Sequence, residues 1–140
     1  LFPSEEWGNA YVEALNSSAD LARVGRGWSW QVLLVVDEIP EHLLRAPGTK
    51  RVGYLIDLND GKCRSYKYLT DTESAKTPYR IAAPYEVWTR LIEGRGLTPD
   101  QAIYTAKIRV RGDLARISRF TEAAAVMVRL VRQVGASEPY

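Results

Sequence analysis

Lys107 to Asp113 reads Lys-Ile-Arg-Val-Arg-Gly-Asp and runs straight into a long amphipathic helix pattern beginning at Leu114. Apolar residues alternate with cations along it, so an extended strand here has one greasy face and one charged face. Gly112 permits a sharp turn, and the Asp113 carboxylate can accept hydrogen bonds from the free N–H groups of the following helix. A strand that hands over to a helix in this way belongs to a mixed chain of strands and helices. The rest of the sequence carries almost no catalytic equipment. Together these features point to a protein that encloses something apolar rather than one that transforms it.

The other elements read in the same mixed order. Ser4 is a good N-cap, with Glu5 and Glu6 in the first turn and Trp7, Tyr11, Ala14 and Leu15 at helical spacing. Ser17 with Asp20 resembles a loose capping box for a short second helix, which Gly25 and Gly27 end. Trp30 to Asp37 is rich in β-branched and aromatic residues and apolar on both faces, which predicts a central strand. Glu38 to Gly48 reads as a loop, and Lys50 to Leu58 alternates as a second strand.

Asn59-Asp60-Gly61 turns the chain back into a third strand, Lys62 to Leu69, and two registers compete there. A two-residue turn sets Asp57 opposite Arg64 but puts Lys67 on the core face beside Tyr54. A three-residue turn with Gly61 as bulge puts Tyr66 and Tyr68 on the apolar face and sends Ser65 and Lys67 outward. The second is favoured, because a mid-strand lysine in a core costs more than one exposed ion pair returns. Thr70 to Thr77 is a connection and Pro78 to Ala83 a fourth strand. Pro84 opens a helix at its first position, with Tyr85, Trp88, Leu91 and Ile92 on the buried face and Gly94 at its end. Thr98-Pro99-Asp100-Gln101 is a complete helix start. In the last helix, Leu114 to about Val134, a stripe of Leu114, Ile117, Phe120, Ala124, Met127 and Val131 faces inward, and Arg116, Arg119, Arg129 and Arg132 mark the wet side.

Composition removes several function classes. At 140 residues the chain is expected to form one domain, residues 1–140, able to bury a core without disulfides or metals. A formal charge of +2 gives no argument for nucleic acid, and the arginines are spread along the sequence. Cys63 is alone, so no intrachain disulfide can form, which predicts a reducing, cytoplasmic setting. No apolar run approaches the roughly 20 residues needed to span a bilayer, and no secretory signal opens the chain. Because it opens on Leu1 rather than Met, a few preceding residues are expected either to have been removed or to lie outside this sequence. Asn16-Ser17-Ser18 matches a glycosylation acceptor by chance and reads as a helix ending.

The search for chemistry is mostly negative. One histidine, His42, and one cysteine on distant elements cannot supply the three or four ligands of a metal site. Cys63 lies beside a hairpin turn and reads as a plain small residue rather than half of a Cys-His pair. Gly25-Arg26-Gly27 has Trp30 where a dinucleotide loop needs its third glycine, and Gly94-Arg95-Gly96 lacks the residues of a phosphate loop. Asp37 with Glu38, and Asp71 with Glu73, sit at strand ends or in polar loops, where solvated positions are expected. Aromatic residues are conspicuous instead: four tryptophans, eight tyrosines and two phenylalanines. Core filling explains many of them, but tyrosine and tryptophan also suit the lining and mouth of a cavity that holds an amphipathic guest.

At this level the residues resemble a known family, the type-2 sterol carrier proteins (the SCP-2 sterol-binding, or sterol transfer, domains). The resemblance rests on Ser4-Glu5-Glu6-Trp7 opening the first helix and Leu15-Asn16-Ser17 closing it before Trp28. It continues through Ile56-Asp57-Leu58-Asn59-Asp60-Gly61-Lys62, then Tyr85-Glu86-Val87-Trp88 followed by Leu91-Ile92-Glu93-Gly94, and ends with Ala106 to Leu114. Order and spacing across nearly the whole chain carry it, since each piece alone is ordinary punctuation.

The resemblance implies an α+β fold: a five-stranded, mostly antiparallel sheet covered on one face by helices, with a hydrophobic tunnel between the layers. It implies a non-enzymatic lipid carrier that takes fatty acids, fatty acyl-CoA, phospholipids or sterols, with no cofactor and no metal. A transient membrane-surface contact and a monomer or homodimer fit such a carrier. Strand parity, rather than any family signature, places Tyr54, Ile56, Tyr66, Tyr68 and Ile81 toward the cavity. Helix phase adds Trp88, Ile92, Ile117, Phe120 and Met127. Family members often end in Ser-Lys-Leu, whereas this chain ends Ser137-Glu138-Pro139-Tyr140, which favours a cytosolic form over a peroxisomal one. Two rival readings remain: a protein-interaction or oligomerisation module with a filled core and an exposed apolar face on the last helix, and an enzyme accessory or small hydrolase acting on an apolar substrate. A nucleic-acid binder is more distant, since the aromatics track buried faces rather than interleaving with the arginines.

Overall fold

The structure, a computed structural model, describes residues 2–43 and 50–134. The end of the expected 38–48 loop and the chain terminus from 135 onward lie outside the described residues. Helix α1, Glu5–Asn16, starts where expected: Ser4 Oγ accepts from the Trp7 N–H at 3.1 Å. Helix α2, Ala19–Val24, is capped by Ser18 rather than Ser17. The backbone explains the shift. Ser17 still has helical angles and its N–H bonds back to Glu13, while Ser18 has the extended conformation that lets a side chain reach forward.

Five strands follow with helices between them: β1 Ser29–Asp37, β2 Val52–Asn59, β3 Lys62–Leu69, β4 Tyr79–Pro84 and β5 Arg109–Arg111. They lie in the order β3-β2-β1-β4-β5, so β1 is central, as its two apolar faces required. All neighbours are antiparallel except β1 and β4, which run parallel. The expected fifth strand is shorter at its start, because the Ile108 N–H bonds to the Ala102 carbonyl at 3.1 Å instead of joining the ladder.

Both competing registers of the hairpin contribute. Asn59 pairs with Lys62 across a two-residue turn, and Asp60 and Gly61 both take the positive φ of a type I′ turn. The bulge falls at Arg64 rather than at Gly61, and beyond it Ile56 faces Tyr66 and Tyr54 faces Tyr68. The extra residue rotates the tyrosines inward and leaves Arg64 free to pair with Asp57 at 3.2 Å. The favoured facing and the disfavoured turn therefore coexist.

Three more helices complete the cover: α3 Tyr85–Glu93, α4 Pro99–Tyr104 and α5 Ile117–Val134. Pro84 occupies the cap of α3, one residue before its expected place, and Gly94 ends that helix in the left-handed region. Thr98 and Gln101 close a full capping box on α4. The expected last helix loses its first turn to a 3-10 segment, Leu114–Arg116, capped by Asp113 through the Ala115 N–H at 3.1 Å. The tighter winding takes Leu114 off the apolar stripe and leaves it 87% exposed. From Phe120 onward the stripe is buried as its 3.6 period requires. Among the described residues no helix is long and apolar enough to cross a membrane.

The two faces of the sheet differ. Trp30, Val32, Leu34 and Val36 of β1 point into a large apolar cluster shared with the helices. Leu33 and Val35 point the other way, into a small cluster with Ala75, to which Leu55, Leu69 and Ala82 add partly buried surface.

Candidate functional site

The layer between sheet and helices gathers the residues that strand parity and helix phase singled out. Tyr54, Ile56, Ile81, Trp88, Ile92, Phe120 and Met127 are buried there, and Tyr66, Tyr68 and Ile117 pack half-buried against the same cluster. Leu114, expected on the same stripe, is excluded. Aromatic rings divide this layer into two groups. Trp7 stacks on Tyr11 and meets Tyr54, which in turn contacts Tyr66 and Tyr68. At the other end Trp30 stacks on Trp28 and packs against Tyr79 and Phe120. Arg119 covers the outer face of Trp28 at 4.5 Å from the ring centre, so one tryptophan is interleaved with arginines where none was expected.

Several polar tips in this layer are tied to backbone carbonyls. Tyr11 donates to the Met127 carbonyl at 2.7 Å, Tyr54 to that of Ser4 at 3.0 Å, and Tyr66 to that of Glu5 at 3.0 Å. The Trp88 indole donates to Val35 of the central strand at 3.0 Å, which ties α3 to the sheet. Burial pushes the phenols of Tyr11, Tyr54 and Tyr66 well above the usual tyrosine range. Trp30 differs. Its indole N–H is buried and is the one side-chain nitrogen or oxygen so placed, among the described residues, without a hydrogen-bond partner. An unpaired buried donor costs about 1–3 kcal/mol, which an acceptor on a guest molecule would recover.

On the opposite face a second constellation appears that the sequence reading missed. Asp37, expected at a solvated strand end, is buried to 7% exposure. It lies between two guanidinium groups: Arg51 Nε donates to Oδ1, and Arg109 donates to Oδ2 at 2.9 Å. These groups, with Thr72, Arg80 and Arg111, wall a hollow of about 220 Å³ whose floor is Val35 and Ala82. Alternation along Lys107–Arg111 did place Arg109 and Arg111 on one face. What no local pattern carries is that β5 lies beside β4 and brings Arg80 against them.

The remaining reactive side chains do not assemble. His42 is exposed in a single 3-10 turn beyond the end of β1, while Cys63 sits past the hairpin near its start. The Cys63 thiol contacts the Ser65 carbonyl at 3.2 Å, and burial raises its pKa, which disfavours the nucleophilic thiolate. Among the described residues no three His, Cys, Asp or Glu side chains gather as a metal site would need.

No protein-family model and no curated protein matches the chain by sequence. Solved structures do. A crystal structure of sterol carrier protein 2 superposes with a TM-score of 0.75 at 27% identity, over 95% of this chain and 98% of that one. The solution structure of a conserved hypothetical protein of Thermus thermophilus, suggested to be a sterol carrier protein, gives 0.72 at 26% identity over 99% of this chain and 92% of that one. A sterol carrier protein domain of Helicoverpa armigera shares the fold alone, with a TM-score of 0.55 at 18% identity over 96% and 91% of the two chains. The α+β architecture, the mixed five-stranded sheet and these likenesses agree, and the chain has the fold of sterol carrier protein 2.

Proposed function

We propose that this chain binds and carries an amphipathic lipid, a fatty acid or fatty acyl chain, between its sheet and its helical cover, without transforming it. The observation that carries this reading is the end-to-end likeness to sterol carrier protein 2 at 27% identity. The unpartnered Trp30 indole in the apolar layer supports it, as a donor for the guest's polar end. Met127, on the inward face of α5, is the most pliable side chain along the path a guest would open. Such a carrier would work as a freely diffusing cytoplasmic domain, monomeric or dimeric, touching membranes only transiently.

The energetics suit reversible capture. Removing a ~16-carbon chain from water is worth at most about 13 kcal/mol at ~0.8 kcal/mol per methylene. Association and ordering take back several kcal/mol, which leaves about −8 kcal/mol, near micromolar affinity. The interaction-module alternative requires an exposed apolar face on the last helix, and the apolar residues of α5 from Phe120 onward are instead buried within the chain.

A fluorescent fatty acid titrated into the protein should bind saturably and be displaced by unlabelled fatty acid. Absence of binding at about ten micromolar protein, where a micromolar carrier would be largely occupied, defeats the proposal. Native mass spectrometry of the protein as purified should reveal a retained guest and its chemical class.

A further inference from the structure

The hollow on the outer face of the sheet, opposite the large helix-covered cluster, gathers more positive than negative charge among the described residues. Four guanidinium groups (Arg51, Arg80, Arg109 and Arg111) and one carboxylate, Asp37, line it. Asp37 is shared between Arg51 and Arg109, and Arg51 also reaches the Glu73 carboxylate at 3.9 Å, so the cations left to account for are Arg80 and Arg111. Arg80 is held by neutral acceptors, the carbonyls of Thr77 and Ala75 at 3.5 and 3.3 Å, which orient the group without cancelling its charge. Arg111 has no ion pair among the described residues, and it stands directly across the β4–β5 ladder from Arg80. Like charges at directly opposed positions destabilise a sheet. A bound anion would reverse the sign of that contribution.

From this geometry we infer that the hollow is a binding site for a phosphate group, with Arg80, Arg109 and Arg111 as its donors. Guanidinium forks match phosphate oxygens in pairs, and neighbouring forks on adjacent strands can grip one group from two sides. Asp37 acts as a positioning residue, fixing Arg109 so that its remaining N–H groups are available. The volume, about 220 Å³, suits one phosphate with a short attachment rather than a polymer. Val35 and Ala82 provide an apolar floor for that attachment. An adjoining hollow, walled by Lys50, Arg51, Arg109, Asp37, Glu38 and Asp71, has balanced charge, so the cation excess is confined to the arginine end. The phosphate can come from a free small molecule or from a lipid head group, and the chemistry recognised is the same. The site lies on the far side of the sheet from the lipid layer, so it stands or falls independently of the carrier proposal.

The test is calorimetric titration of the full chain with inorganic phosphate, and separately flotation with phosphatidylcholine vesicles with and without phosphatidic acid. Wild type should bind phosphate saturably, or float with the phosphatidic acid vesicles alone. Arg111→Gln and Arg80→Gln should each weaken the interaction about tenfold. Arg132→Gln, on the exposed side of α5, should leave it unchanged. Binding to phosphate assigns a soluble ligand, and binding only to the anionic vesicles assigns a head group; either supports the site. No binding to either probe overturns it, as does binding that Arg111→Gln and Arg80→Gln leave intact. Fatty-acid displacement run on the same variants should be unchanged, which separates failure here from failure of the carrier proposal.

Discussion

The two faces of the sheet are built from the same strands and solve opposite problems. On the helix-covered face, large aromatic side chains are buried, and tyrosine hydroxyls of α1 and the sheet and the Trp88 indole are tied to backbone carbonyls. On the outer face, a small apolar strip around Leu33 and Val35 gives way at the β4–β5 edge to arginines in excess of their acidic partners. The first arrangement stabilises the fold and, among the described residues, leaves one buried side-chain donor, the Trp30 indole, without an acceptor. The second gathers more guanidinium groups than carboxylates around one hollow, among the described residues. Where polar groups are satisfied internally the residues are architecture; where they are left over, a ligand is expected to complete them.

Substitutions should expose this asymmetry, most sharply at Trp88. Its ring is fully buried and its indole N–H holds the central strand, so Trp88→Ala should destabilise by about 3–5 kcal/mol in urea unfolding. Arg111→Gln, on the other face, should stay within about 0.5 kcal/mol of wild type. If Trp88→Ala instead weakened lipid binding at nearly native stability, Trp88 would be a lining residue rather than a strut. Gly8→Ala should cost about 1–3 kcal/mol, because a Cβ there would drive α1 into the Tyr66 hydroxyl and ring. A wild-type unfolding midpoint would show that α1 can lift from β3, which would favour an opening at that seam.

Alkaline pH probes the same layer without mutation. The folded state holds the Tyr11 and Tyr54 phenols protonated, their pKa values raised above the ordinary 10.0 by burial. Their contribution is therefore fully present below pH 10 and is lost as pH rises further, by about 1.4 kcal/mol per pH unit for each phenol. Unfolding midpoints measured from pH 9 to 11 should bend downward above 10, and Tyr11→Phe should shallow the bend. The smallest effect belongs to the exposed Arg64–Asp57 pair at the hairpin bulge, where Arg64→Ala should cost under about 1 kcal/mol. A larger loss would mean that the bulge depends on the ion pair rather than on the inward turn of Tyr66 and Tyr68.

Much of this molecule was legible locally. Ser4, Gly94 and the Thr98–Gln101 box mark helix ends because caps are satisfied by neighbours a few residues away. The apolar runs of β1 and α5 announced their burial because strand and helix periods are fixed by backbone geometry. The resemblance to sterol carrier proteins likewise lay in the order and spacing of short motifs, and it anticipated the α+β fold and its five-stranded sheet. Local reasoning failed where two short-range options were close in energy. The first turn after Asp113 wound as a 3-10 segment and expelled Leu114, and the hairpin moved its bulge to Arg64.

The sequence by itself determined which residues of β1 and of α5 from Phe120 onward turn inward and that the chain would alternate strands with helices, since both follow from periodicity and capping within a few residues. Only the tertiary structure decided that Asp37 would be buried between Arg51 and Arg109, and that Arg80 would face Arg111. Those contacts join residues up to 72 positions apart through the strand order β1-β4-β5. Electrostatics act through space, so arginines that look dispersed along a chain can converge once a sheet sets its edge, and no pattern in the sequence records which strand that edge will adjoin.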